Sequence, residues 1–563
     1  MRKILILILL ACSLVAEADK WYIATAANGG SDTNGDGSIS APWLTLKHAA
    51  DTVTGANFVG DTIVVGVGTF TETAQIAVGA GVSIYGAGST SILVLTWTTA
   101  SSSQGCIQLS SYPTEGTNGN QSISHLYLDG DLTGTAAISV YCRGNVKLHH
   151  LTIVDFAQAG ITFRGGAAGQ DVATRAIGNE IYNCTITNSS SRTGGVTDGL
   201  IRFGAQSGLL IHDNILDQTD RASGNNGNII DAVWGYNDGI KYYNNKSYKN
   251  DNEGTEWNFH IEEWNGRGGW EIYDNEFHGG GTCIDVGGDS NIKGTYAYSF
   301  WIHGNLFEQP TLTAQTYHYN IGIDLERNVQ DAIIERNYFK NYNWGIYFSC
   351  DGYSTNLGSD NIKIRYNIFD AIGTTDNVYA AAVMITAEET SLGHSNIYID
   401  NNTMTAGTAF NVGAGIITAI YVGTLNNLYI RNTIIKGFYA GPIWVAAAVN
   451  PDTVYYQNNH SNNTSDAIYY SAGRAIGTLI SADNQTGDPL FRSSSDLHLQ
   501  STSPAINAGI DVSAITGGLD FHGAALYGAA YDIGAFEYGV NRMIILNDSI
   551  MPTINYKIVL IDH

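Results

Sequence analysis

The sequence predicts an all-β solenoid, in which one chain winds into a parallel β-helix of stacked coils. A polar motif recurs at a nearly constant spacing, short alternating runs separate its copies, and no window has a helical period. The 33 tyrosines and 10 tryptophans indicate a folded chain rather than a disordered one. A length of 563 residues does not require several domains, because each unit of a solenoid packs only on its neighbours.

The repeated motif is apolar-x-x-Asn-x-apolar, as in IHDNIL (211–216) and IYDNEF (272–277). Its asparagines are Asn214, Asn245, Asn275, Asn305, Asn337, Asn367 and Asn402, and the same slot holds Cys184, Thr433 and Asn459 in neighbouring copies. About thirty residues make one coil of three short strands and three turns. Because coils stack about 4.8 Å apart, we expect the asparagine amides to hydrogen-bond from coil to coil. About ten or eleven coils would form a rod of roughly 50 Å.

Two flanking segments, residues 22–72 and GDPLFRSSSDLHLQSTSPAINAG…DIGAFEYG (487–539), accompany the repeats. Together with the repeats over roughly residues 60–480, they resemble secreted bacterial proteins with the single-stranded right-handed parallel β-helix of the pectate-lyase-like superfamily. The resemblance implies a short capping helix from Pro42 onward and a C-terminal cap segment. Both caps are expected to hide the open sheet edges at the ends of the rod.

The predicted organisation follows from these boundaries. It consists of a signal peptide (1–18), an N-terminal cap (19–60), the β-helix (61–486), the C-terminal cap segment (487–539) and a strand-like tail (540–563). The role of the tail is left open between an added edge strand and pairing with another chain. The oligomeric state is not predicted.

The first residues predict export. Arg2 and Lys3 precede the apolar run 4–11, and a small-residue cleavage site stands before Asp19. The apolar run is too short to span a bilayer, and no later run is long enough. An alternative interpretation makes Cys12 the lipidated residue of a lipoprotein. The formal charge of −25 argues against nucleic acid and anionic membranes as partners.

Aligning the strands that precede the asparagines places one outward residue of each coil in a common column, called the acid column below. Its members are Arg202, Asp231, Glu262, Asp285, Asp324 and Tyr347, accompanied by His260 and Glu326 two residues away on their strands. Carboxylates about 5 Å apart repel, so the pKa of at least one should rise. Such a column persists if it binds a cation or if the raised pKa serves a general acid.

The spacing of the coils also bears on the stereochemical course of hydrolysis. Carboxylates on adjacent coils lie near the separation of about 5 Å found in retaining glycosidases, and those two coils apart lie near the upper end of the inverting range. Four tryptophans, expected to stack on sugar rings, lie nearby in the sequence: Trp234, Trp257, Trp264 and Trp270. Simpler explanations are solvated surface acids, a strand histidine at 260 bonded to a loop carbonyl, and tryptophans that cover a loop.

No signature of a particular enzyme is present. The aspartate signatures of polygalacturonase-type hydrolases, the Asp-Pro-His-Asp motif of alginate epimerases and the arginine signature of pectate lyases are all missing. A lyase needs a base near the sugar C5 and a cation for the uronate, and the nearest basic residues, Arg202 and Lys241, stand in no motif.

The sequence thus predicts a secreted protein that acts on an extracellular polysaccharide, with hydrolysis slightly favoured. One of Asp231, Glu262, Asp285 and Asp324 would be the general acid and another the base or nucleophile, with His260 assisting. Arg202, Glu326 and Tyr347 would help to bind the substrate. The alternatives are a calcium-dependent uronate lyase and a non-catalytic adhesin or phage-type spike.

A weaker signal concerns calcium. Asp32, Asn34 and Asp36 resemble the first half of an EF-hand loop, but Trp43 stands where the bidentate acid is expected. The alternative is a turn in which Asp and Asn satisfy backbone amides. No cofactor is required by the predicted chemistry, and calcium is the possible one.

Two further patterns carry less weight. Five widely spaced cysteines after Cys12 predict isolated buried thiols rather than a disulfide framework. A second outward column, interpreted as a binding surface or as ordinary scaffold, comprises Tyr182, His212, Tyr243, Tyr273, His303, Glu335 and Arg365.

Overall fold

The predicted parallel β-helix is confirmed by a computed structural model of the chain. It describes residues 18–99, 104–165, 175–189, 199–219, 227–232, 236–250, 259–288, 297–310, 320–349, 358–373, 379–387, 393–407, 413–525, 528 and 530–539. Residues 1–17 of the predicted signal peptide, which include Cys12, and the tail 540–563 lie outside these residues.

Each coil contributes strands to three faces, and strands of one face pair in parallel with those of the coils above and below. The first face contains Lys20–Ile23, Thr62–Val65, Ser83–Tyr85, Thr117–Asp129, Arg143–Val154, Glu180–Tyr182, Leu210–His212, Lys241–Tyr243, Glu271–Tyr273, Trp301–His303, Ile333–Glu335, Asp360–Arg365, Gly393–Asp400, Thr424–Arg431, Thr453–Gln457 and Thr478–Ala482, with the short strands Ala297–Tyr298 and Val329–Gln330 at its edge.

Two long strands, Thr117–Asp129 and Arg143–Val154, continue from the first face into the second. The other second-face strands are Gly68–Glu72, Ser91–Leu95, Thr185–Thr187, Ile215–Asp217, Lys246–Tyr248, Glu276–His278, Leu306–Glu308, Tyr338–Lys340, Ile368–Ile372, Thr403–Ala406, Ile434–Lys436, His460–Asn462 and Gln485–Thr486.

The third face carries the acid column. Its strands are Ile76–Ala77, Ile107–Ser110, Ala136–Tyr141, Ala159–Arg164, Ala176–Ile177, Ile201–Phe203, Gln206–Ser207, Ile230–Ala232, Asn237–Asp238, Ile261–Gly268, Thr282–Gly288, Ile321–Arg327, Trp344–Phe348, Ala381–Ala387, Ala414–Ile420, Ile443–Val445 and Tyr469–Tyr470.

The rod has more coils than the predicted ten or eleven. Among the described residues, fifteen first-face strands lie between Thr62 and Ala482, apart from the two short edge strands. Motif counting missed coils near both ends, where the asparagine slot changes and the repeat shortens. Thr62 pairs with Ser83, only 21 residues on, and Tyr455 pairs with Ile480, only 25 residues on.

The predicted asparagine ladder runs along the bend between the first and second faces. The side-chain amide of Asn245 donates to Oδ1 of Asn275 at 3.1 Å, and that of Asn275 donates to Oδ1 of Asn305 at 2.9 Å. The same contact joins every successive pair from Asn214 to Asn402. Each Oδ1 also accepts a backbone N–H, so these buried amides are hydrogen-bonded on both sides.

The N-terminal cap is a short helix, Leu46–Thr52, with 3₁₀ turns at Ala26–Asn28, Ala56–Phe58 and Gly88–Thr90. The hydroxyl of Thr45 accepts the backbone N–H of His48, which is an ordinary N-cap. The buried carboxylate of Glu72 accepts a second helix N–H, that of Leu46, at 2.5 Å. Leu46, Ala49 and Ala50 pack into the core of the first coils.

The C-terminal segment, which includes the short helix Ser513–Thr516, lies along the flank of the rod rather than over its end. Its Phe491, Leu499 and Ile533 pack against Ile368 and Ile434, which face outward from the second face. Gly534 N–H donates to the carbonyl of Asn432 at 2.7 Å. Ile368 and Ile434 are apolar and face outward, so the C-terminal segment shields them from water. The sequence motif of this segment does not show which surface of the rod it contacts. In the last first-face strand, Leu479 is 41% exposed.

Four cysteines, Cys106, Cys142, Cys184 and Cys283, are buried free thiols, as predicted. Burial raises the pKa of the Cys184 thiol to about 12, so it is inert as a nucleophile. The core cluster around them runs the length of the rod and includes a stack of Phe277, Phe307, Phe339 and Phe369, with successive ring centroids 4.6 to 5.0 Å apart.

Candidate active site

The acid column exists in the predicted register. Asp231 pairs with Glu262, Glu262 with Asp285, and Asp285 with Asp324 on four successive strands of the third face. Arg202 precedes Asp231, and Tyr347 follows Asp324. The neighbours of the acids on their own strands belong to the core, as Ile230 and Ala232 do around Asp231, except that the buried Glu263 follows Glu262. The acids therefore lie on the outer side of the sheet, one per coil.

The column is buried, which the sequence did not reveal. Asp231 is 0% exposed, Glu262 4% and Asp285 3%, whereas Asp324 is partly exposed. The interpretation of these three acids as solvated surface groups is therefore wrong. A buried carboxylate needs a cationic partner, hydrogen bonds or a proton, and the members of the column satisfy this need in different ways.

Asp231 uses a cationic partner. Its Oδ2 lies 2.7 Å from Nε of Arg202, and the side chains are 0% and 10% exposed. Arg202 is thus committed to an ion pair within the column. Lys241, the other basic residue near the predicted site in sequence, lies on the first face and pairs with Glu271. Neither residue is available as a free cation for a uronate.

Glu262 uses a hydrogen bond and a shifted pKa. The side-chain amide of Asn228 donates to its Oε2. Burial raises the pKa of Glu262 to about 7, with the hydrogen bond opposing and the charge of Glu326 adding to the shift. Glu262 is therefore poised to exchange a proton near neutral pH.

Asp285 lies between two other carboxyl groups. Burial is the main cause that raises the pKa of Asp285 well above its usual range, and the charges of Glu326, Asp324 and Glu262 raise it further. Within the described part of the chain, its Oδ1 has no hydrogen-bond partner. The surroundings of Asp285 thus favour its protonated form.

Asp324 is the accessible end of the acid series. Its Oδ1 accepts the Ser349 hydroxyl at 2.8 Å. Glu326, two residues along the strand, pairs with the guanidinium of Arg327, and their side chains are 16% and 2% exposed. The site therefore places Asp285, whose protonated form is favoured, beside the hydrogen-bonded and partly exposed Asp324 on the next coil.

Beyond Asp324 the same column becomes aromatic and apolar. Tyr347 pairs in register with Met384, Met384 with Ile417, Ile417 with Trp444, and Trp444 with Tyr469. Tyr347 stacks on Trp344 with centroids 4.9 Å apart, and Tyr379 stacks on Trp444 at 5.3 Å. Tyr379 and Tyr469 are 47% and 49% exposed. An exposed aromatic surface thus continues the acid column along the rod.

His260 is not part of the outer surface. It is 0% exposed, and its Nε2 lies 3.0 Å from the carbonyl oxygen of Gly279. Its ring packs edge-on against the core residue Phe277 at 5.5 Å. Strand alternation begins at Ile261, so the corner residue before it turns inward. The assisting role predicted for His260 is wrong, and the alternative of a histidine bonded to a loop carbonyl is confirmed.

Trp270 is also a core residue. It is 1% exposed and stacks between Phe203 and Phe300 at 5.9 and 6.3 Å, so it cannot stack on a sugar. It occupies the corner before a first-face strand, where the neighbouring coils place Ile240 and Phe300. Trp234 and Trp257 lie outside the described residues, as does the side chain of Trp264.

Sequence reasoning missed several residues of this site. Arg327, Asn228 and Ser349 each contact an acid of the column. The signal for Ser349 was present, because it lies two residues after Tyr347 on the same side of the strand. Trp444 could have been found by extending the column three coils beyond Tyr347.

The predicted calcium loop is organised by backbone hydrogen bonds. Oδ1 of Asp32 accepts the N–H groups of Leu44 and Thr45 at 2.7 and 3.0 Å, and Asp36 accepts the N–H of Ser38 at 2.9 Å. These contacts favour the turn interpretation. Calcium binding by Asp32, Asn34 and Asp36 stays a prediction.

The second outward column forms a continuous stack on the first face. Tyr182, His212, Tyr243, Tyr273 and His303 follow one another with ring centroids 4.6 to 5.3 Å apart and nearly parallel planes. Glu335 and Arg365 continue it as an ion pair, Nε to Oε2 at 2.6 Å. Because the ring faces contact one another, only their edges remain for a ligand.

No protein-family model and no curated protein matches the sequence. Among solved structures, similar chains include the A-module of the mannuronan C-5 epimerase AlgE6 of Azotobacter vinelandii, with 11% identity, a TM-score of 0.37 and coverage of 79% of this chain and 95% of that one. Another is the catalytic unit of the GH87 α-1,3-glucanase of Streptomyces thermodiastaticus, with 10% identity, a TM-score of 0.37 and coverage of 84% and 69%. A third is PfbA, a surface adhesin of Streptococcus pneumoniae, with 11% identity, a TM-score of 0.38 and coverage of 84% and 92%.

Within the described residues, no helix is long and apolar enough to cross a membrane.

Proposed function

We propose that this protein cleaves glycosidic bonds of an extracellular polysaccharide at the acid column, with Asp285 and Asp324 as the reacting carboxyl groups. The observation that carries the proposal is the position of Asp285, 3% exposed and in register between Glu262 and Asp324. Environments that drive the pKa values of two neighbouring carboxyls apart are what acid–base pairs in hydrolases require.

The roles follow from the two environments. Asp285, held protonated by burial and by its acidic neighbours, donates a proton to the glycosidic oxygen. Asp324, partly exposed and bonded to Ser349, acts as the carboxylate that stabilises or attacks the sugar. Strands about 4.8 Å apart place these groups near the separation of retaining enzymes, so retention of configuration is expected.

Access to the pair is from the Tyr347 side of the column. Asp324, Glu326 and Tyr347 are partly exposed, whereas Asp231 at the other end is fully buried. The aromatic surface that begins at Tyr347 and contains Trp444 would hold sugar rings leading to Asp324. Asp231 and Arg202 would form the closed end of the site and act through their ion pair.

The test incubates the chain from Asp19 with a panel of neutral and uronic polysaccharides and follows reducing ends and unsaturated-uronate absorbance, with and without chelator. Reducing ends without absorbance support hydrolysis. A rise of both that stops with chelator would replace it with the calcium-dependent lyase.

Variants then locate the reaction. Asp285→Asn and Asp324→Asn should each lower the cleavage rate by about 100-fold or more. Asp217→Asn, an equally conservative change at the end of a second-face strand, should leave the rate unchanged. Cleavage that survives both column substitutions would exclude this assignment.

A second candidate, a non-catalytic polysaccharide-binding protein, is favoured by the burial of Asp231, Glu262 and Asp285, each at most 4% exposed. In that case the acids take no part in a reaction and the aromatic surface alone contacts the sugar. Binding without cleavage, unchanged in Asp285→Asn and lost in Trp444→Ala, would identify this function.

A further inference from the structure

Three histidines meet on the outer surface of two adjacent coils near the N-terminal end of the rod. His149 pairs in register with Ser124, and Leu151 pairs with Leu126, so His150 lies directly beside His125 on the neighbouring coil. The cluster belongs to the bend between the first and second faces, whereas the acid column lies on the third face. It plays no part in the proposed cleavage.

The ring nitrogens of the three side chains converge. One ring nitrogen of each residue lies within 4.8 Å of those of the other two. Nδ1 of His149 is 2.9 Å from Nδ1 of His150, and the rings of His125 and His150 are parallel with centroids 4.7 Å apart. Nitrogens bound to one tetrahedral Zn²⁺ are roughly 3.3 Å apart, so the three nitrogens lie near the spacing that one ion requires.

The fold does not require histidine at these positions. His125 and His150 have φ values of +58° and +54°, and the residues at the same bend in the next coils are Asn183, Asp213 and Asn244. Asn, Asp and His are all enriched in this left-handed region. The bend therefore accepts histidine, but the neighbouring coils show that Asn or Asp serves it equally well.

A comparison with a neighbouring coil shows what is unusual about His149. At the equivalent place, His212 lies 2.6 Å through Nδ1 from a carboxylate oxygen of Asp213, and its Nε2 lies 3.0 Å from Glu180. His149 instead contacts another imidazole. Two imidazoles in contact cannot both donate, so at least one nitrogen keeps a lone pair towards the other ring.

Nδ1 of His125 is buried and, in the described part of the chain, has no hydrogen-bond partner.

We propose that His125, His149 and His150 bind one divalent transition-metal cation, with Zn²⁺ as the ion that fits the set. Three imidazole nitrogens suit Zn²⁺, Ni²⁺ and Cu²⁺, whereas Ca²⁺ and Mg²⁺ require oxygen ligands. Water would complete the tetrahedron, as in other zinc sites with three protein ligands. The bound ion would join the strands Thr117–Asp129 and Arg143–Val154.

The test titrates ZnCl₂ into the chain from Asp19, prepared without a histidine tag, in a buffer that does not bind metal, with calorimetric detection. One equivalent should bind with a dissociation constant of about 1 µM or lower. Binding should raise the thermal midpoint, because the ion binds the folded chain. Cobalt substitution should give the visible absorption of a tetrahedral nitrogen site.

The variants take their side chains from neighbouring coils, so that the fold is preserved. His150→Asn and His125→Asn introduce the residue found at Asn183, and His149→Ser the residue found at Ser124. Each should weaken zinc binding by at least about 100-fold, more than the loss of an outer-shell partner. Far-UV circular dichroism of each variant checks that it is folded.

Two controls address other histidines. His212→Tyr, which repeats the residue at Tyr182 and Tyr243 in the same column, should bind zinc as the unchanged chain does. His498→Asn removes a member of the other close histidine pair, His498 and His522, whose Nε2 atoms are 2.8 Å apart, and should also leave binding intact. Zinc affinity weaker than about 0.1 mM, or retained by all three folded cluster variants, would overturn the proposal.

Discussion

Two columns of polar side chains run along this rod, the asparagine ladder and the acid column. Their buried polar atoms find partners in opposite ways. In the asparagine ladder each side chain carries both donors and an acceptor, so identical residues bond to one another, as Asn305 does to Asn275 and Asn337. In the acid column an ionised carboxylate only accepts, so two ionised neighbours cannot hydrogen-bond to each other. The asparagines and three of the four acids are nevertheless buried.

The asparagines hydrogen-bond to one another and to the backbone. The acids repel one another and depend on other residues or on a proton. The ladder repeats one solution for seven coils, from Asn214 to Asn402. The acid column needs a different one at each coil: a guanidinium at Asp231, an amide at Glu262 and a proton at Asp285. Perturbed pKa values of this kind concentrate at functional sites, which is why the chemistry is assigned to the acids. Four stability measurements, from the largest expected effect to the smallest, test the contrast.

The largest effect should come from breaking the ion pair of the acid column. Arg202→Met leaves the fully buried carboxylate of Asp231 without its cation and should lower the free energy of unfolding by about 3–5 kcal/mol. Urea denaturation at pH 7 measures it. Arg202→Met combined with Asp231→Leu should recover most of the loss. A single variant within about 1 kcal/mol of the unchanged protein would show that the pair is not decisive.

Breaking the ladder in its middle should cost slightly less. Asn305 makes four hydrogen bonds, two through Nδ2 and two through Oδ1, and Asn305→Ala leaves buried partners unsatisfied. We expect a loss of about 3 kcal/mol in urea denaturation. The matched change Asn426→Ala, whose amide reaches only the surface hydroxyl of Thr424, should cost less than about 0.5 kcal/mol. Equal losses at the two sites would refute the ladder's special contribution.

The pH dependence of stability should expose Glu262. Its folded pKa, about 7, lies above the ordinary value of 4.5, so the folded chain binds this proton more tightly than the unfolded chain. Stability should therefore fall as pH rises from about 4.5 to about 7. Glu262→Gln keeps the Asn228 contact without the charge and should be about 2–3 kcal/mol more stable than the unchanged protein at pH 8.

The control for that measurement repeats the comparison of Glu262→Gln with the unchanged protein at low pH. At pH 4 the carboxyl is protonated in both states, and Glu262→Gln and the unchanged protein should unfold at the same urea concentration. A variant that is equally more stable at both pH values would indicate a packing effect instead of a titration.

The smallest effect belongs to an exposed ion pair. Lys241 and Glu271 pair on the surface of the first face with side chains 47% and 20% exposed. Lys241→Met should change the free energy of unfolding by less than about 0.5 kcal/mol. A loss comparable with that of Arg202→Met would mean that burial does not explain the sensitivity of the acid column.

The sequence predicted the features that depend on local period. A spacing near thirty residues fixed which side chains stack, so the ladder of asparagines and the register from Asp231 to Asp324 are both confirmed. The same alternation failed at one corner. His260 lies one residue before its strand begins, and His260 and Ile261 both face inward there. Trp270 instead follows the alternation, because Trp270 and Ile272 are buried on either side of the partly exposed Glu271, and its prediction as a sugar-stacking residue rested only on nearness in sequence.

Other features depend on segments far apart in the sequence. That Arg202 pairs with Asp231, that Asn228 bonds Glu262, and that the C-terminal segment covers Ile368 and Ile434 required the coils to be assembled. Which side chains are shielded from water and which charges pair depend on segments that pack against a strand from elsewhere in the chain. The local sequence of the strand does not contain this information.

By itself, therefore, the sequence determined a parallel β-helix, its asparagine ladder and the alignment of four acids, because a repeat of constant length places equivalent residues one strand spacing apart. Only the tertiary structure decided that three of these acids are buried, which of them hold a cation or a proton, and that His125, His149 and His150 meet on neighbouring coils. A pKa and a metal site depend on distances and on exclusion of water, and both arise only when the coils are stacked.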